Sequence, residues 1–423
     1  MRKVLRIGRK GKSVEKAAEV LRELEQEKFL ARVALIQALI PLGLKHVEDL
    51  LEQEVKELAG EKWSRRGGVD GHVRWGSQPG SIYLGDQKLP IEVPRVRDQH
   101  KGQEVALRMY QGFQEPRRAD EGVVLRILRG LSCRDYRECV EAVPQAFGLS
   151  ASTMSRRMRR ATLKTLMALQ ERGLEEYDIV AMVVDGKTFA EDGMVVAVGI
   201  TIEGRKVFLG FVQAGTENEL VCREFFERLV DRGLKYEQGL LVVIDGSKGI
   251  RKAVEKVFGR YALVQRCQWH KRENVLKYLP KSQQAGMRKK LQVAYEKPTY
   301  GEAKAALLGV KKELTLINQS AVTSLEEGFE ETLTLHRLGL FKEVGISLKT
   351  TNCLENVFSL VGQRMDKVDR WRNSEQKQRW LAAALLDMEP KLRKIKGCTH
   401  LKALRASLLR AIQGSGAQEQ EAA

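Results

Sequence analysis

The stretch LLVVIDGSKGIRKAVEKVFGRYALVQRCQWHKREN, residues 240–274, contains two short apolar runs around a basic segment. The first run ends in Asp245-Gly246 and the second in a Cys-x-x-His. Short β-branched runs bounded by turn residues predict buried strands, and the segment from Lys248 to about Phe258 predicts a helix. Upstream, DIVAMVVDG is a similar run ending at Asp185. MVVAVGITI and KVFLGFVQAG follow, separated by EGR, a tight turn with Gly204. Three strands with such short connections are expected to be antiparallel neighbours. ENELVCREFFERLVDRGL then predicts an amphipathic helix with Leu220, Phe225, Phe226 and Leu229 on its apolar face. The order β-β-β-α-β-α-β implies an α/β fold with a mixed five-stranded sheet.

Ligands gather at the carboxyl ends of parallel strands in such sheets. If the first and fourth strands lie side by side and parallel, Asp185 and Asp245 meet there. Carboxylates that close repel unless a cation lies between them. Oxygen ligands select a hard ion such as Mg²⁺ or Mn²⁺. Two ions about 3.5–4 Å apart can clamp both oxygens of a phosphoryl transfer. An Asp-Gly pair can also simply make a turn, and the chain has others at Asp70 and Asp192.

The 423 residues carry 73 Lys and Arg against 55 Asp and Glu, a formal charge of +18. This excess favours a polyanionic partner, above all nucleic acid. No run approaches the ~18 apolar residues of a membrane span, and the basic N-terminus lacks a secretory apolar core. The six cysteines are scattered without a CxxC pair, which fits a reducing cytoplasm.

The N-terminal half divides by pattern. Residues 1–66 form a helical region, and 67–116 hold a hairpin around Gly85-Asp86 flanked by Arg74, Arg95, Arg97 and Lys101. Residues 117–176 have the pattern of a helix-turn-helix, with Gly148 at the turn and Ser150 or Ser152 as a cap. On its last helix Met154, Met158, Ala161, Thr165 and Leu169 share one face, while Arg156, Arg157, Arg159, Arg160 and Lys164 point elsewhere. A recognition helix places its first residues against base edges. An ordinary amphipathic helix with a solvated basic face gives the same pattern.

The segment VVIDGSKGIRKAVEKVFGRYALVQRCQWHKRENVLKYLPK resembles the signature of Mutator-type bacterial insertion-sequence transposases. TTNCLENVFSLVGQRMDKVDRW and RWLAAALLDMEP resemble two further segments of that family. The likeness is strong over roughly 177–410 and loose before it. It implies an RNase H-like fold and an Asp-Asp-Glu triad, here Asp185, Asp245 and Glu355. The core is then expected at 177–274 and 347–412, interrupted by an all-helical insertion at 275–346. Residues 413–423 are expected to be a disordered tail. Glu355 falls on a helix starting near Thr351 or Asn352, either of which is a suitable cap.

Cys267 and His270 offer half a zinc site, but a structural site needs four ligands. The resemblance implies instead that this pair supports the active site. His270 would bond a phosphate or position the scissile strand, or else be a satisfied core histidine. Trp269 and Trp371 would stack on an unpaired base or pack in the interior.

The expected protein is a DNA transposase of the bacterial nucleoid. It would bind double-stranded DNA at the inverted repeats of its element and at a target, act as at least a dimer, and use two Mg²⁺ or Mn²⁺ ions. An RNase H-like nuclease or junction resolvase, or a catalytically idle transposase-derived DNA-binding protein, are the alternatives.

Overall fold

The computed structural model describes residues 30–63, 71–84, 87–114, 117–134, 149–215, 218–368 and 370–421. The chain forms two units, residues 1–161 and 162–423. Among the described residues no helix is long and apolar enough to cross a membrane.

In the first unit, α1 (Leu30–Ala59) packs on a three-stranded antiparallel sheet of β1 (His72–Leu84), β2 (Gln87–Asp98) and β3 (Gln103–Val105). Val47, Leu51, Val55 and Ala59 recur every four residues on α1 and are buried with Ile82, Leu89, Ile91, Val93 and Val96. The inward positions of β2 change parity between Val93 and Val96. Opposite them β1 has a register shift between Arg74 and Ser77. Pro90 and Pro94 are tolerated because β3 pairs only with Val96–Asp98, which leaves that edge of β2 without a ladder to break. The expected hairpin is present, paired up to Leu84↔Gln87; its two turn residues lie outside the described residues. Glu54 of α1 accepts from the backbone N–H groups of Arg108 and Met109 at 2.7 and 3.0 Å, closing the start of α2 (Arg108–Gly112). Helix α3 (Arg117–Leu128) follows, and after residues outside the described ones comes α4 (Ala151–Gln170), within which the division between the two units falls.

In the second unit the sheet order is β6-β5-β4-β7-β8. Strands β4 (Ile179–Phe189), β5 (Asp192–Thr201) and β6 (Lys206–Gln213) are antiparallel; β7 (Leu240–Ile244) and β8 (Ala262–Arg266) run parallel to β4. Side chains alternate across the sheet. Met182, Val184, Leu240, Val242 and Ile244 face α5 (Glu219–Asp231) and α6 (Lys248–Phe258). Ala181, Val183, Leu241 and Val243 face α12 (Phe341–Leu348), α13 (Asn352–Met365), α14 (Ser374–Met388) and α15 (Leu401–Glu421). Between the two faces of the chain's path, α7 (Gln268–Leu276), α8 (Lys281–Tyr295), α9 (Tyr300–Thr315), α10 (Gln319–Glu326) and the short α11 (Thr334–Arg337) intervene. They enclose their own core around Leu276, Leu291, Leu307, Leu314 and Leu325.

Three expectations change. Strand β4 does not end at Asp185 but continues to Phe189, because Asp185–Phe189 stay paired with β5. Leu220 is 49% exposed, and Cys222 takes its place on the buried face of α5 with Phe225, Phe226 and Leu229. Residues 413–421, expected within a tail, prolong α15 to Glu421. Extending an existing helix is far easier than starting one, and Ala417 to Glu421 are good helix formers.

Candidate active site

The parity of the sheet places the two aspartates. Asp185 continues the face of Ala181 and Val183, and Asp245 that of Leu241 and Val243, so both point toward the layer containing α13. The parallel ladder of β4 and β7 reaches Val184↔Ile244, which makes Asp185 and Asp245 the next position on each strand. Glu355 lies in the first turn of α13. All three carboxylates line one cleft of ≈1170 Å³, together with Lys187, Trp269 and His270. Behind Asp245 the backbone turns at Gly246 with φ +121°, and Asp245 Oδ1 accepts from Ser247 N at 2.9 Å. The Asp185 carboxylate accepts from Gly186 N at 2.9 Å.

The Cys-x-x-His pair is joined to the segment carrying Glu355. Cys267 caps α7, its sulfur accepting from His270 N at 3.5 Å. It is fully buried, and burial pushes its thiol pKa up, the opposite of a thiolate ligand. His270 Nε2 lies 3.6 Å from Glu355 Oε1. Thr351 does not cap α13 as expected, since its side chain makes no capping bond. Its hydroxyl is used at the other end, 3.8 Å from Cys267 Sγ and 3.4 Å from His270 Nδ1. Gln268 N also donates to Lys349 O at 3.0 Å. These contacts hold α7 against the start of α13.

The rest of the motif faces away from the cleft. Gln265 and Gln268 donate to Thr332 O at 3.0 and 2.9 Å. Arg266 donates to Glu327 O at 2.8 Å and Gly246 O at 3.2 Å. Lys271 is 1% exposed, with its ammonium 2.6 Å from both Ser324 O and Glu327 O. Burial, assisted by the charge of Arg266, lowers its pKa to about 8. This group therefore fixes the segment that returns from the helices to the sheet. The sequence patterns offered Thr351 only as a helix cap and gave Arg266 and Lys271 no role of their own, because long-range contacts define each role.

Trp269 is 40% exposed on the cleft wall; Trp371 lines the same cleft, partly buried, and meets Trp380 edge-on at 5.7 Å. On α4, Arg156, Arg159, Arg160 and Lys164 are exposed. Arg157, expected on the same basic face, is instead 5% exposed, with its guanidinium 5.9 Å from the Tyr83 ring centre. The expected first helix and turn of the helix-turn-helix lie at 135–148, outside the described residues. Arg95 is held in a two-pronged pair with Glu104 at 3.0 and 2.8 Å. Arg97 lies 4.6 Å from the Trp75 ring centre. Arg74 donates to Gly60 O and Glu52.

Among the described residues, no group of three or more His, Cys, Asp or Glu side chains is gathered so as to hold a metal ion as it stands. The donor chemistry still suits a hard cation: the cleft presents carboxylate oxygens, and the buried Glu355 Oε1 accepts no hydrogen bond.

Residues 15–394 match the family described as Transposase, Mutator family. The chain is 29% identical over 349 residues to the transposase for insertion sequence element ISRM5 of Rhizobium meliloti (strain 1021), covering 79% of this chain and 85% of that one. It is 26% identical over 313 residues to the transposase for insertion sequence element IS256 in transposon Tn4001 of Staphylococcus aureus, covering 71% and 77%. The transposase for insertion sequence element IS905 of Lactococcus lactis is 24% identical over 350 residues, covering 81% and 86%.

Proposed function

Because the chain belongs to the Mutator family of transposases, we propose that it cuts DNA at the ends of an insertion sequence and joins the freed 3′ ends to a second site. The observation that carries this is that Asp185, Asp245 and Glu355 line one cleft, Asp185 from within β4, Asp245 from just beyond the neighbouring β7, and Glu355 from a helix packed on the same face. The strand order, three antiparallel strands followed by two parallel ones, supports an RNase H-like reading of the sheet.

Asp185, Asp245 and Glu355 are the residues that would hold one or two divalent cations, Mg²⁺ or Mn²⁺. Such an ion supplies Lewis-acid charge to a phosphodiester oxygen and eases deprotonation of an attacking water or 3′-hydroxyl. The protein's own groups do the rest. His270 steadies Glu355 from 3.6 Å, with Thr351 on its other ring nitrogen. Lys187 and Arg370, both exposed on the cleft, are suited to neutralise backbone phosphates. Arg156, Arg159, Arg160 and Lys164 form the exposed basic face proposed to bind the element's inverted repeats, and synapsis of two ends calls for at least two copies.

The test is cleavage and binding of a labelled element end by purified protein with Mg²⁺ across a salt series. Asp245→Asn should abolish cleavage while end binding persists. Loss of both would mark a folding defect rather than a lost ligand. If the unaltered protein binds and cuts a scrambled duplex equally well, a general nuclease replaces the transposase reading.

A further inference from the structure

Trp269 is a large apolar side chain that the core does not use. On α7 the buried residues are Gln268, Lys271, Val275 and Leu276, and Trp269 lies on the other side. Its indole meets the His270 ring edge-on, with centroids 4.8 Å apart at 81°. The remaining surface opens into the cleft that holds Asp185, Asp245 and Glu355. An exposed indole in a cleft of carboxylates and cations needs a flat, apolar partner attached to a phosphate chain.

A nucleobase meets that description, but the bases of an intact duplex are covered by their own neighbours. Only a base that has left the stack can lie on an aromatic side chain. We propose that Trp269 is a stacking platform for one unpaired base next to the scissile phosphate, so that the cleft takes locally opened DNA rather than intact duplex. His270 then has two duties, bracing the indole through the edge-on ring contact and Glu355 by Nε2. Exposed Lys187 on the same cleft would receive the phosphate adjoining the displaced base. This rests on the DNA-cleaving role proposed above.

The experiment compares Trp269→Ala and Trp269→Phe with unaltered protein on two element ends. One end is fully paired; the other is mismatched at the positions flanking the cut. Stacking of one base on an aromatic side chain is worth roughly 10- to 100-fold in rate or affinity. Trp269→Ala should therefore slow cleavage of the paired end by about that factor and recover to within about 3-fold on the opened end. Trp269→Phe should lie between. Separately, 5-iododeoxyuridine placed at each flanking position should photocrosslink to residue 269 in the binding-competent Asp245→Asn protein. Equal slowing of Trp269→Ala on both ends, or no crosslink to residue 269 from any flanking position, overturns the proposal. If the unaltered protein cuts neither end, the cleavage role fails, and the crosslink alone decides whether Trp269 receives a base.

Discussion

Replacing Gly246 by alanine probes how the turn behind Asp245 is held. A Cβ at this position would lie 2.4 Å from Arg266 Nε, 2.6 Å from Nη2 and 2.8 Å from Cζ. Its φ of +121° is also one that a side chain strains, at a cost of about 1–3 kcal/mol. Arg266 cannot move aside freely: it is buried, and its guanidinium donates to Glu327 O and Gly246 O. Giving up one such charged hydrogen bond costs about 1.5–3 kcal/mol. The Glu327 carbonyl would keep Lys271 as a donor, so only the Gly246 contact is lost outright. Gly246→Ala should thus destabilise the protein by roughly 3–5 kcal/mol. Whichever way the collision is relieved, the turn that orients Asp245 shifts, so cleavage should fall further than DNA binding. The assays are urea unfolding of the full chain and cleavage of an element end. In an Arg266→Ala background the obstacle is gone, and the same substitution should cost only the backbone strain. A penalty that is equal in both backgrounds, or below about 0.5 kcal/mol in the native one, would refute the packing argument.

Thr351→Val keeps the shape but removes the hydroxyl between Cys267 and His270; it should cost about 1 kcal/mol in stability and shift the Mg²⁺ concentration for half-maximal cleavage upward by ~10-fold. Thr351→Ser should restore both, and an unchanged Mg²⁺ dependence would show that the hydroxyl is purely structural. For Lys271 the folded pKa is about 8 against 10.5 in the unfolded chain. Between those values the unfolded state holds the extra proton, so raising the pH favours folding. Relative to Lys271→Met, the unaltered protein should gain up to about 3 kcal/mol between pH 8 and 10.5. Paired denaturation curves at pH 7.5 and 10 check this; a pH-independent difference would mean that the buried ammonium is not penalised.

What the sequence determined by itself is the local pattern. The short β-branched runs VAMVVD and LLVVID marked two buried strands leading to Asp185 and Asp245, but that the two aspartates share a face depended on β4 and β7 being parallel neighbours, which the ladder between them supplies. The helix from Lys248 to Phe258 was legible because its apolar spacing and its serine cap are both local. Glu355 was different: nothing in its own helix distinguishes it from a surface glutamate, and only the resemblance of TTNCLEN to a family segment singled it out. Tertiary structure decided the partners. Thr351 had the chemistry of a cap, yet its hydroxyl lies against a buried sulfur and a histidine ring from a segment about 80 residues earlier in the chain. Arg157 belonged by spacing to the basic face, but packing near Tyr83 withdrew it. Strand β4 outran its expected end because β5 supplied hydrogen bonds that no pattern within β4 announces. Periodicity is set by backbone geometry and is written in neighbouring residues. The choice among several possible hydrogen-bond partners depends on which distant groups arrive at the same place, and only the packed chain determines that.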